Sequence, residues 1–227
     1  MNNPLTKIKY KNNFIISAAM ILLSVLFTLA VTKADVQMIG PLASKVGFAT
    51  LNKNVFTLFP GSVFWDKITD LLAAFAIVVA LCFVLIGVMQ LVQRKSIFKV
   101  NKSILCLGCV YVLLGVLYVL FEIVKINYRP VLDNGELAAS FPSSHTMLVC
   151  TIMGSGVIQL KKIIKNNKIC RIASIVAIAI IVLMIIGRIL SGAHWFTDVV
   201  AGALFGSTLV MLYYTAICEL TVVSRER

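Results

Sequence analysis

The sequence predicts an all-α polytopic membrane protein, one membrane-embedded domain over residues 1–227 built as a six-helix transmembrane bundle. Two features of composition point there. Of the 227 residues 60% are hydrophobic and only 13% charged, with a mean hydropathy of +0.98; soluble domains run closer to half apolar and a quarter charged. The apolar residues also fall in long runs with charges at their edges, the pattern of membrane spans. Runs of this length without two-residue alternation imply helices, because a spanning backbone must satisfy its own hydrogen bonds.

The six predicted spans are 14–32, 71–92, 104–124, 143–160, 172–190 and 199–218. The first follows Lys7, Lys9 and Lys11. It is too long for a signal-peptide core and ends in a poor cleavage sequence, so it reads as a retained span. The fourth is interrupted by Gly154, Ser155 and Gly156. Between the first two lies an aromatic-rich stretch, 33–70, with a turn signal at Pro60-Gly61. It reads as a cap packed on the bundle in preference to a mobile flap. Gly202 and Gly206 form a G-x-x-x-G pair in the last span, expected to make a helix contact within the bundle. Cys106 and Cys109 form a lone C-x-x-C, read as small apolar residues of a span.

Orientation follows from Lys and Arg. With a cytoplasmic N-terminus, fourteen of the 21 basic residues fall inside, among them Lys7, Lys9, Lys11, Arg94, Lys95, Lys161, Lys162, Arg225 and Arg227. Both termini are therefore expected in the cytoplasm of a plasma membrane, bacterial by its simple topology. Much of the net charge of +12 is then topology and not a nucleic-acid footprint.

Only two histidines occur, and each sits in a polar cluster. One cluster is Tyr128-Arg129-Pro130 followed by Phe141-Pro142-Ser143-Ser144-His145; the other is Arg188, five residues, His194, three residues, Asp198. In the six-span plan these fall at four span ends on one face of the membrane, the extracytoplasmic one. His194 and Asp198, four apart, would share a helix face, letting the carboxylate hold Nδ1–H and free Nε2 to attack. His145 is then available as general acid. Phosphoryl transfer spreads negative charge over three equatorial oxygens, and Arg129 and Arg188 suit it as permanent bidentate cations. Ser143 and Ser144 at a helix start offer hydroxyls and free N–H groups to an anion. With the cations built in, neither metal nor other cofactor is expected.

At these residues the sequence resembles the type 2 phosphatidic acid phosphatase (PAP2) superfamily. That family's motifs are a lysine, six residues and Arg-Pro; Pro-Ser-Gly-His; and Ser-Arg, five residues, His, three residues, Asp. The third is similar to Gly187-Arg188 through His194 to Asp198, with Gly187 in the serine place. The second is similar to Pro142-Ser143-Ser144-His145, with Ser144 in the glycine place, and the first to Arg129-Pro130, with Glu122 in the lysine place. The resemblance implies a PAP2/haloperoxidase-like active-site core. It implies His194 as nucleophile, Asp198 as its partner and His145 as acid, with Arg129, Ser143, Ser144 and Arg188 around the phosphate. Lys125, one helical turn after Glu122, is expected to supply the missing cation.

The function expected from residues and resemblance together is a membrane lipid phosphatase acting through a phosphohistidine. Its substrate would be a lipid phosphate or diphosphate, with a polyprenyl carrier such as undecaprenyl diphosphate preferred over phosphatidate or phosphatidylglycerol phosphate. A lipid phosphotransferase shares the covalent step. A silent channel or transporter on the same fold is disfavoured by the intact His145, Arg188, His194 and Asp198, and a soluble haloperoxidase by the hydropathy. Partners are the substrate and membrane lipids, without nucleic acid; the sequence is silent on oligomeric state.

Overall fold

The computed structural model describes the backbone of residues 4–226 and the side chains of residues 12–220. Lys7, Lys9, Lys11, Arg225 and Arg227, part of the charge pattern that orients the chain, lie outside those described side chains. The elements are α1 (Pro4–Lys33), α2 (Ala49–Leu58), α3 (Val63–Arg94), α4 (Lys102–Ile123), α5 (Ser144–Ile163), α6 (Asn167–Leu190) and α7 (Phe196–Glu226). No strand occurs among the described residues, only isolated bridges.

Five helices, α1, α3, α4, α6 and α7, are long and apolar enough to cross a membrane. The fourth predicted span, now α5, is the one that fails that composition test, and its position explains why. Thr146, Val149, Thr151, Ser155 and Gln159 of α5 are fully buried, enclosed by α3, α4, α6 and α7. A helix wrapped in other helices need not match lipid. The neighbours instead present apolar side chains outward, such as Leu22, Leu85, Val116 and Ile175, as a bundle bathed in hydrocarbon requires. The core runs along α5 through Met147, Val149 and Ile152 to Leu107, Met184, Leu209 and Tyr213.

Two devices fix α7. A Cβ at Gly202 would lie 2.6 Å from the Ser143 carbonyl oxygen, and one at Gly206 would lie 2.6 Å from Cys150 Cβ. The G-x-x-x-G pair therefore lets α7 close on α5 within the bundle. On its other side α7 is clasped to α1 by the hydroxyl pairs Ser17–Thr215 (2.9 Å) and Ser24–Thr208 (3.1 Å), bonds that average about 0.6 kcal/mol each in membrane helices.

The stretch between the first two long helices is a packed cap. Asn52 of α2 is fully buried. It donates to the Gly47 carbonyl and to Thr197 Oγ1 (2.8 and 2.9 Å), and its Oδ1 accepts the Thr197 N–H at 3.1 Å. Phe56 meets Trp195 with ring centroids 5.6 Å apart. The cap is thus bonded to the first turn of α7. Helix α3 begins at Val63 instead of 71, and those two extra turns bring Asp66 and Asp70 to the end of the bundle that holds the histidines.

Candidate active site

Arg188 comes from the last turn of α6, and His194 from the short connection to α7. That connection turns at Gly192, whose φ of +65° favours glycine. Gly192 lies against Gly61 so closely that a Cβ on it would be 2.7 Å from the Gly61 Cα. The Ser62 N–H donates to the Ser191 carbonyl at 3.2 Å, pinning the cap to this loop.

Between α4 and α5 a short hairpin arm supplies the next group. The Arg129 N–H donates to the Ala138 carbonyl (3.1 Å) and the Ser140 N–H to the Asn127 carbonyl (2.9 Å). Its tip is Asp133-Asn134-Gly135-Glu136, with positive φ at Asn134 (49°) and Gly135 (85°). Asn-Gly is the preferred pair for such a tight turn, so the signal for this arm was present in the sequence. Trp195 Nε1 donates to the Tyr128 carbonyl at 2.7 Å and docks the arm on the His194 loop.

Around His194 the geometry departs from the expected direct pairing with Asp198. His194 Nδ1 lies 2.9 Å from the Ser140 carbonyl oxygen and 3.2 Å from Ser140 Oγ. A carbonyl can only accept, so Nδ1 carries the proton and Nε2 holds the lone pair. Ser140 Oγ in turn donates to Asp198 Oδ2. Asp198, fully buried, also accepts from Asn127 Nδ2 (2.9 Å) and the Trp195 N–H (3.1 Å). The carboxylate reaches the imidazole through Ser140. Burial, then the nearby Arg188 and Arg129 guanidiniums, hold the His194 pKa well below its ordinary 6.5; the ring is neutral at physiological pH.

On the other side, α3 meets α5 and α6. Asp70 Oδ1 stands 3.2 Å from His145 Nε2 and 3.9 Å from an Arg188 terminal nitrogen. The same nitrogen donates to Asp66 Oδ1 (2.8 Å) and Thr69 Oγ1 (3.1 Å). Gly187 allows this approach, since a Cβ there would lie 2.6 Å from Thr69 Cγ2. In the motif this is the serine place; here the space is occupied by α3.

Among the buried side-chain nitrogens without a hydrogen-bond partner, four belong to predicted site residues: Arg129 Nε, Arg188 Nε, His145 Nδ1 and His194 Nε2; the others are on Asn13 and Gln159. Buried polar atoms are ordinarily paired, so these four stand out as atoms left open at residues the sequence singled out. A small cavity here is lined by Glu122, Arg129, Ser140, Pro142, Ser144 and His194. A wider one of about 360 Å³ adjoins it through Arg129 and is bounded by Pro60, Asp66, Val131 and Gly192.

Not every predicted residue points into this space. Ser143 turns its hydroxyl to Thr146 Oγ1 (3.0 Å) and spends its N–H on the Asp198 carbonyl (2.9 Å), so it links α5 to α7. Lys125 places Nζ 6.0 Å from the centre of the Tyr128 ring; Glu122 lines the inner cavity, whereas Lys125, like His145 and Arg188, lines neither. Sequence reasoning missed Ser140, Asn127, Asp66 and Asp70. All four act across long sequence separations; Ser140 and Asn127 lie beside recognised motifs, and Asp66 and Asp70 beside none.

A sequence model of the PAP2 superfamily matches residues 15–220. No curated protein matches the chain. Among solved structures, the fold is similar to that described as the first transmembrane PAP2 type phosphatidylglycerolphosphate phosphatase from Bacillus subtilis. The TM-score is 0.60 at 18% identity, over 91% of this chain and 96% of that one. At that identity the likeness establishes the shared fold.

Proposed function

The chain belongs to the PAP2 superfamily, and on that premise we propose that it is an integral membrane phosphatase cleaving a lipid phosphate through a phosphohistidine. The observation that supports this most is the set of four unpaired buried nitrogens on Arg129, Arg188, His145 and His194. In the proposed reaction a phosphate binds the Nε edges of the two arginines beside the start of α5. The neutral His194 Nε2 attacks phosphorus, the ester P–O bond breaks with its electron pair on the leaving oxygen, and His145 protonates that oxygen. Water, deprotonated by His145, then attacks the phosphohistidine; the P–N bond returns its pair to Nε2 and free phosphate leaves. The Ser140 carbonyl keeps the Nδ1 proton in place, and Asp198, acting through the Ser140 hydroxyl, stabilises the imidazolium character that develops on attack. Ser144 lines the cavity and is assigned to phosphate binding; Ser143 and Lys125 are assigned no contact with it.

α5 is proposed to cross the membrane as the sixth, interior span, with both termini cytoplasmic and the site facing outward, as the distribution of Lys and Arg favours. Among lipids, the lean toward a polyprenyl diphosphate meets one observation that favours the monoester reading. Glu122 lines the inner cavity and Asp66 the outer one, so a second phosphate would sit against carboxylates. Phosphatidate or phosphatidylglycerol phosphate is the second reading.

The test is phosphate release by purified protein from a panel of lipid mono- and diphosphates, with and without EDTA, alongside His194→Ala. Release that survives chelation and is lost in the variant supports the reading. A requirement for added magnesium, or a fully active variant, rules out the mechanism.

A further inference from the structure

Helix α3 enters the site with a residue that no motif contains. Asp70 Oδ1 is 3.2 Å from His145 Nε2, while His145 Nδ1 is buried and unpaired. The two ring nitrogens are therefore in opposite situations. Nε2 faces an acceptor that holds its proton, and Nδ1 is turned into the protein beside the arginine cluster. The approach depends on Gly187, because any larger residue there would push α3 away at Thr69. It also depends on the early start of α3 at Val63.

We propose that Asp70 is a positioning residue for the general acid: it holds the Nε2 proton of His145, so that Nδ1 is the atom that delivers a proton to the leaving oxygen. This rests on the phosphatase reading above. When the ester P–O bond breaks, its electron pair goes to the leaving oxygen and the Nδ1 proton follows, giving the free alcohol and a neutral Nε2–H imidazole. In the second half of the cycle Nδ1 takes a proton from the attacking water and the starting state returns. Asp70 keeps its charge throughout and never accepts the proton. Asp66 has a separate task, because its bond to the Arg188 terminal nitrogen orients the guanidinium and leaves Nε for phosphate.

Two measurements test the assignment. The first compares a long-chain alkyl phosphate with its analogue in which sulfur replaces the bridging oxygen, since a thiolate leaves without needing a proton. Asp70→Asn is expected to lower kcat on the oxygen ester about 100-fold, within the range for general acid catalysis, and on the sulfur ester at least tenfold less. Equal losses on the two would make Asp70 merely structural, and no loss on the oxygen ester would also overturn the proposal. Wild-type protein inert to the whole lipid panel would overturn the phosphatase reading and the proton path with it.

The second measurement needs no turnover. The chain has only two histidines, so ¹⁵N spectra of labelled protein in detergent, assigned with His194→Ala, report the His145 ring directly. A protonated, hydrogen-bonded Nε2 that changes in Asp70→Asn is the expected result. A His145 ring with its only proton on Nδ1, or one indifferent to Asp70→Asn, contradicts the pairing whatever the activity.

Discussion

The surroundings of the two histidines are near opposites. His194 lies four residues from a carboxylate, yet its Nδ1 faces Ser140, and Asp198 stands one hydroxyl further back. His145 has no acidic residue close in sequence, yet α3 brings Asp70 to its Nε2. One ring is fully enclosed on a loop among guanidiniums and kept neutral. The other is on the first turn of a helix, partly open, and faces the Asp70 carboxyl group. A nucleophile needs a free lone pair and an acid needs a held proton; each environment suits one of these and not the other. Proximity in sequence paired His194 with Asp198 directly, whereas in the structure Ser140 stands between them.

The largest effect that could break this contrast is removal of either ring. His194→Ala is expected to lower phosphate release by at least about 10³-fold, as loss of a covalent nucleophile does, with the fold intact by circular dichroism. Retained turnover would move the nucleophile elsewhere. Next comes the cation shared by both histidines. Arg188→Ala removes the proposed phosphate clamp and strands Asp66 near Thr69, so a fall of about 10²–10³-fold in kcat/KM is expected. Arg188→Lys should recover only part, because an ammonium cannot bond Asp66 and phosphate edge-on together.

The Ser140 relay gives a smaller effect with a distinctive form. Ser140→Ala keeps the carbonyl that fixes the Nδ1 proton and removes the hydroxyl that connects to Asp198, so kcat should fall about tenfold, or about 1.4 kcal/mol. If the carboxylate acts through that hydroxyl, Ser140→Ala combined with Asp198→Asn will fall short of the sum of the two single losses. Additive losses would mean that Asp198 acts on the ring by another route. In the same vein, a depressed His194 pKa leaves its lone pair available down to lower pH than an ordinary imidazole. The acid limb of kcat/KM should therefore lie below pH 6.5, the unperturbed value, and a limb at or above it would mean that the arginines and burial do not act on this ring.

Away from the chemistry, the α5–α7 contact can be tested by stability alone. Gly202→Ala sets a Cβ against the Ser143 carbonyl, and overpacking of this kind costs about 1–3 kcal/mol. A lowered thermal midpoint is expected, with the site disturbed through Ser143 and Asp198.

What the sequence made legible follows from what is local. The helices that face lipid were readable from hydropathy because each must be apolar by itself. α5 was the weakest of the six predicted spans for the reason that it is interior: Thr151, Ser155 and Gln159 face other helices and owe nothing to lipid. The motif residues were legible by spacing, and four of them share unpaired buried nitrogens. Ser143 illustrates the opposite case. A serine at a helix start is a reasonable anion ligand, but the close approach permitted by Gly202 turns its N–H to the Asp198 carbonyl. Lys125 was chosen to offset Glu122 across one helical turn, but α4 ends at Ile123 and leaves Lys125 over Tyr128 instead. Asp66 and Asp70 were invisible because the start of α3 was placed two turns late, and an apolar run does not show where its polar N-terminal extension begins.

The measurement closest to the central claim is a rapid quench of the protein with a ³²P-labelled lipid phosphate, followed by peptide mapping. A covalent phosphate that is stable in alkali, labile in acid and attached at His194 is the predicted result. Label on any other residue, or turnover at saturating substrate with no phosphoenzyme in either wild-type or His145→Ala protein, would contradict it.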